Sequence, residues 1–143
     1  MTITLHRRDD AFLFESVNDE GLTVLSNASP DIGGQGRGLR PMQLVLAAVA
    51  SCSSIDIVLL LKKQRQELLD LKVKVEGQRA DTVPKVFTNI QVHYRFWGAL
   101  DAKKVERACR LSMEKLCSVS MMLAAGGVEI SWTYELVDGG GTP

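Results

Sequence analysis

Between Pro41 and Leu61 the chain reads PMQLVLAAVASCSSIDIVLLL, and its first half, Leu44 to Ala50, is apolar nearly all the way round. A helix of that kind is covered on every side. One small sheet covers a single side, so the rest of the cover must come from another helix or from a second subunit. By length the stretch could span a bilayer. Gln43, Ser51, Ser53, Ser54 and Asp56 argue against that, because a carboxylate deep in a bilayer costs roughly 2.5–3.5 kcal/mol and the chain offers no second span to shelter it. The stretch therefore reads as a buried core helix. Pro41 suits its first turn, and Lys62, Lys63 and Arg65 suit the negative end of its dipole near Arg65.

The segments around this helix alternate. Ile3 and Leu5, Phe12 and Phe14, and Leu22 and Val24 each sit two apart, separated by Asp, Asn and Gly turn residues. That pattern predicts two or three short antiparallel strands. Ser29 to Gly38 is a loop. Leu71 to Glu76 and Ile90 to Phe96 alternate with period two and predict a hairpin of half-buried strands. Asp101 is placed to cap a helix running to about Leu116, and Cys117 to Gly127 predicts a shorter helix ended by glycine. Val128 to Val137 alternates as a last strand. Strands, long helix, strands, two helices and strand make an α+β fold, with helices gathered on a mostly antiparallel sheet. A length of 143 residues suits one domain, over residues 1–138, with a disordered Gly-rich tail at 139–143.

Lys plus Arg and Asp plus Glu both number 17, so the formal net charge is zero. That balance removes the basic footprint of a nucleic-acid binder and the polybasic signal of a membrane-surface protein. The N-terminus has no apolar run behind its charges, and the cysteines, Cys52, Cys109 and Cys117, are odd in number. Free thiols in the reducing cytoplasm are the expectation. His6 and His93 share no ligand spacing with them, so no metal site is expected. Gly34-Gln-Gly-Arg-Gly lacks the spacing of a phosphate-binding loop and reads as a flexible connection.

The thiols carry what chemistry there is. Cys52 lies mid-helix on a stripe with Val45, Ala48, Val49, Ile55, Asp56 and Leu59. It fits either an inert core cysteine or a reactive one. Cys117 stands where one helix ends and the next begins, with Lys115 close by; free N–H groups at a helix start lower a thiol pKa, so it fits either an acidified thiol or a cysteine used as a small apolar residue. Cys109, eight residues earlier within a helix, reads as a core cysteine.

In this order of elements, the segments Arg40-Pro-Met-Gln-Leu-Val-Leu-Ala-Ala-Val-Ala-Ser-Cys52 and Leu116-Cys-Ser-Val-Ser120 resemble the OsmC/Ohr family, the osmotically inducible and organic hydroperoxide resistance proteins. In that family a proline opens a long central helix that carries a cysteine eleven residues later. A second cysteine begins a later helix in a Cys-Pro/Ser-x-Ser setting. The resemblance covers residues 2 to 137 and implies an intertwined homodimer with the long helices at its centre. It also implies that Cys52 is the peroxidatic thiol and Cys117 the resolving thiol. The substrates it implies are hydrophobic organic hydroperoxides, reduced at the expense of an external dithiol with neither metal nor organic cofactor. Peroxidase members usually carry a glutamate directly after the helix-opening proline; here Met42 stands there, with Gln43 next. They also hold the thiolate with an arginine. Arg7, Arg8, Arg37 and Arg40 lie in the region but in no matching motif, so none is assigned. The rival reading is a dimeric binding module for a small apolar ligand, with Met42, Met121 and Met122 as an adaptable lining.

Overall fold

The structure is a computed structural model that describes residues 1–137; the tail expected at 139–143 lies outside the described residues. The chain forms two compact units, one spanning Met1–Val45 and one beginning at Leu46.

The first unit holds an antiparallel meander of β1 (Ile3–Arg7), β2 (Phe14–Asn18) and β3 (Thr23–Ser26). Its turns use the residues the sequence offers. The Asp9 carboxylate accepts from the N–H groups of Ala11 and Leu13 at 2.9 and 3.0 Å. Asn18 Oδ1 accepts from those of Glu20 and Leu22 at 3.0 and 2.8 Å. Such side chains substitute for backbone acceptors in tight turns. The strands leave Ile3, Leu5 and Val24 exposed, as the turn before β3 leaves Leu22.

Helix α1 (Pro41–Lys63) starts within this unit and continues into the next. Pro41 has no N–H to leave unpaired, and Gln43 reaches back to accept the Arg40 N–H at 2.9 Å, half of a capping box. The helix stops two residues before the expected Arg65. Arg65 takes the left-handed conformation (φ 54°), with its N–H donating to Lys62 O and that of Gln66 to Leu61 O. These two bonds form a Schellman cap.

In the second unit, β4 (Glu67–Arg79) pairs antiparallel with β5 (Phe87–Ala99), and β5 pairs parallel with β6 (Glu129–Val137). Helix α2 (Ala102–Leu111) and helix α3 (Ser118–Ala125) form the crossover that a parallel pair requires. The expected α+β architecture is present, with its strands divided between two three-stranded sheets. Asp101 caps α2 as predicted, accepting from Lys104 N at 3.0 Å. The central strand β5 buries Ile90, Val92, Tyr94 and Phe96 completely, as do α1 at Val49, Ile57 and Leu61 and α2 at Val105, Ala108 and Cys109.

The buried stripe of α1 is Val49, Ser53, Ile57 and Leu61, repeating every four residues as a helix face does. Ile55, Val58 and Leu59 stay exposed. Within one chain the helix is therefore covered on one side only. It is the one helix among the described residues long and apolar enough to cross a membrane. Its inner face is spent on polar ties to the protein: Tyr94 bonds Ser53, and Ser112 Oγ donates to Ser53 O at 3.0 Å.

Candidate functional site

Cys52 is half-buried on α1, between the inner stripe and the uncovered face of Ile55 and Leu59. Cys117 is fully buried at the first residue position before α3. Helix α2 does not pass straight into α3. Cys117 N–H donates to Ser112 O at 2.8 Å, a five-residue step that makes a π turn of Ser112–Leu116. Such wide turns recur at functional sites because they re-aim the side chains that follow. Here the turn ends on an extended Cys117 (φ −64°, ψ 101°), which acts as the N-cap of α3.

The cap is made by sulfur. Cys117 Sγ accepts from the backbone N–H of Ser120 at 3.4 Å and from its hydroxyl at 3.1 Å. Burial nonetheless pushes the Cys117 thiol above its ordinary value. The Ser120 bonds act downward, and the Cys52 thiol adds to the rise through its own hydrogen bond and charge. This corrects the expectation of an acidified thiol: the helix start supplies donors, but removing the sulfur from water outweighs them. Lys115 is solvent-exposed and is not among the groups that act on the thiol. Cys52, on a separate helix, is among the groups that raise Cys117, so the two thiols are near enough to act on one another's charge. Cys109 is a core cysteine, as read from the sequence: burial pushes its thiol up to about 12.

Around the pair lies a polar cluster that the sequence reading missed. Tyr94 OH donates to Ser53 Oγ at 2.7 Å and lies 3.1 Å from Met113 Sδ. Ser53 Oγ in turn donates to Val49 O at 2.8 Å. Ser112 Oγ donates to Ser53 O at 3.0 Å. Ser120 had a signal, since it stands three residues after a capping residue, the spacing of a reciprocal cap. Tyr94 and Ser53 are 41 residues apart, and no local pattern joins them.

The other candidates take structural places. Arg8 pairs with Glu15 at 3.1 Å and Arg37 with Asp9 at 3.6 Å. His93 bonds Thr133 Oγ1 at 2.8 Å. Trp97 is buried beneath Lys72 and Arg95, and Trp132 stacks on Tyr134. Gln43 is occupied by its cap, so it does not stand in for the glutamate absent at Met42. Among the described residues no group of three or more His, Cys, Asp or Glu side chains could hold a metal ion.

The frame is thus an α+β protein whose long apolar helix carries one free thiol and whose short third helix starts at another, near enough for the first to act on the second. The chain belongs to the OsmC-like protein family, whose pattern matches residues 34–133. Protein YhfA of Escherichia coli K12 is 38% identical over 125 residues, covering 82% of this chain and 92% of that protein. A crystal structure of a protein from Aquifex aeolicus VF5 is 33% identical, with a TM-score of 0.78 over 96% of this chain and 97% of the other. An organic hydroperoxide resistance protein of Legionella pneumophila shares the fold at 21% identity, with a TM-score of 0.70 over 94% and 97% of the two chains.

Proposed function

We propose that this protein is a cytoplasmic thiol-dependent peroxidase of organic hydroperoxides that works as a homodimer. The observation that carries the reading is a half-buried thiol, Cys52, near a buried one, Cys117, whose sulfur is held by the N–H and hydroxyl of Ser120. The Cys52 thiolate attacks the terminal oxygen of the hydroperoxide; the O–O bond breaks, the alcohol leaves after taking a proton, and Cys52 becomes a sulfenic acid. The Cys117 thiolate attacks that sulfur, expelling hydroxide, which leaves as water once protonated. An external dithiol then reduces the disulfide and departs as its own disulfide. Membership of the OsmC-like family and the likeness to a hydroperoxide resistance protein support this course.

The dimer is supported by apolar surface that one chain leaves bare. Ile55, Val58 and Leu59 on α1, Met121 and Met122 on α3, and Ile3, Leu5 and Val24 on the first sheet are all exposed. Cys52, Ile55 and Leu59 share one face of α1, so a second copy laid there lies against the thiol. An interface of more than ~2,000 Å² is expected for an obligate pair. Light scattering at low micromolar concentration should report a dimer, and Leu59→Glu should weaken it; a folded wild-type monomer overturns this part. Residues 1–138 are proposed as one domain, whose signature is a single cooperative unfolding transition.

The activity test is a steady-state assay with a bulky organic hydroperoxide and a dithiol. Wild type should turn over, and Cys52→Ser should not. Cys117→Ser should stop after one turnover with a sulfenic acid on Cys52. If wild type and Cys52→Ser are equally inert, the site passes to the binding-module reading, with the exposed Met121 and Met122 as its apolar lining.

A further inference from the structure

Serines within helices ordinarily turn their hydroxyls onto a carbonyl one turn earlier. Ser51 and Ser53 do so, donating to Ala47 O at 2.9 Å and Val49 O at 2.8 Å. Ser120 departs from that habit. Its hydroxyl bonds two sulfurs, Cys117 Sγ at 3.1 Å and Met113 Sδ at 3.9 Å. Ser120 and Cys117 are both buried, at 1% and 0% exposure, so bulk water does not reach either.

A hydroxyl has one proton to give, which sorts the bonds around Met113. Tyr94 has its shorter acceptor in Ser53 Oγ, at 2.7 Å against 3.1 Å for Met113 Sδ. Ser53 is free to accept because its own proton goes to Val49 O. Met113 Sδ is therefore open to Ser120. Ser120 stands between a sulfur that only accepts and a sulfur whose role changes with its charge. A neutral Cys117 thiol can donate to Ser120 Oγ, whose proton then turns to Met113. A Cys117 thiolate instead accepts a hydrogen bond from that hydroxyl, beside the one from the Ser120 N–H at 3.4 Å.

We propose that the Ser120 hydroxyl turns from Met113 Sδ to Cys117 Sγ as the buried thiol gives up its proton, to the hydroxide leaving the Cys52 sulfenic acid in the resolving step or to hydroxide from the solvent in a titration, and that this hydrogen bond stabilises the Cys117 thiolate. The inference rests on the reading of Cys117 as the resolving thiol, which must be anionic twice. It attacks the Cys52 sulfenic sulfur as a thiolate. It is a thiolate again when a dithiol sulfur bonds Cys52 and the electron pair of the broken S–S bond stays on Cys117.

The test is a pH titration of the full chain bearing Cys52→Ala and Cys109→Ala, followed by the carbon-13 NMR shift of Cys117 Cβ, which needs no reagent to enter the core. Adding Ser120→Ala keeps the N–H donor and removes only the hydroxyl; the half-point should rise by about one pH unit, because hydrogen bonds to charged groups are the stronger kind. Ser120→Thr should restore it. Met113→Leu should move the half-point the other way, since the hydroxyl then has Cys117 alone to serve, an effect that loosened packing would not produce. An unmoved half-point in Ser120→Ala, equal rises in the Ala and Thr variants, or an unmoved or raised half-point in Met113→Leu overturns the proposal. The titration involves neither peroxide nor Cys52, so its failure removes the role of Ser120, whereas failure of the peroxidase reading is seen in the turnover assay.

Discussion

The hydroxyl of Tyr94 donates to Ser53 Oγ across 2.7 Å and so ties the central strand β5 to the helix that carries Cys52. Both residues are fully buried. Tyr94→Phe keeps the ring, which stacks on Phe96 with centroids 6.1 Å apart, and deletes the tie. Loss of a buried hydrogen bond should lower stability by about 1–2 kcal/mol, read as a lower denaturant midpoint with an unchanged slope. An unchanged midpoint means that the bond contributes nothing net.

Stoichiometric peroxide should link Cys52 to Cys117 and leave Cys109 reduced. Cys52 and Cys117 sit on two helices, near enough for the first to act on the second, whereas Cys109 is fully buried with its thiol held up to about 12, so almost none of it is the reactive thiolate near neutrality. Thiol counting with peptide mass mapping decides the matter: one free thiol should remain, on the peptide of Cys109. A Cys109–Cys117 product counts against the proposed course.

The same burial predicts how stability depends on pH. Cys109 rises from 9.0 to about 12 in the folded chain, and burial raises Cys117 and Tyr94 as well. Above pH 9.0 the unfolded chain releases the Cys109 proton while the folded chain keeps it, so unfolding becomes progressively easier until about pH 12. Below pH 9.0 this contribution is constant. Denaturant midpoints measured upward from neutrality should be flat and then fall. In Cys109→Ala the fall should be shallower, whatever the cavity costs at neutral pH. Equal alkaline slopes in the two proteins would falsify the assignment to Cys109.

What could be read from the sequence was local. Pro41 at a helix start, Asp101 as a cap, and Cys117 at the junction of two helices each follow from one residue and its near neighbours. The alternation of Ile90 to Phe96 marks a strand with one buried face. The pairing of β5 with β6, in parallel and across two intervening helices, depends on how the chain returns, which periodicity does not carry. The π turn at Ser112–Leu116 leaves no mark in ERACRLSMEKLC, because a wide turn costs little that composition records. The hydroxyl network of Tyr94, Ser53 and Ser112 joins residues 41 and 59 positions apart. The acidified Cys117 failed as an expectation because a helix start is visible in sequence and the depth of burial is not.

Met42 sets the last prediction. It occupies the position after the helix-opening proline, where peroxidases that resemble this chain carry glutamate, and the neighbouring Gln43 is bound to its own helix cap. A thioether offers an arginine no charged partner. Wild-type turnover with a bulky hydroperoxide should therefore be slow, and Met42→Glu should raise it if an arginine stands within its reach. A hydrogen bond to a charged group is worth roughly 1.5–3 kcal/mol, which becomes about tenfold to a hundredfold in rate if the contact acts mainly in the transition state. Position 42 is partly exposed in the first turn of α1, where a glutamate also suits the positive end of the helix dipole, so the variant should fold. The gain should vanish when Cys52→Ser is added, which separates a rate effect from a stability effect. A wild type already as fast as dedicated peroxidases, or a Met42→Glu variant no faster than wild type, would show that this family position does not govern the rate here.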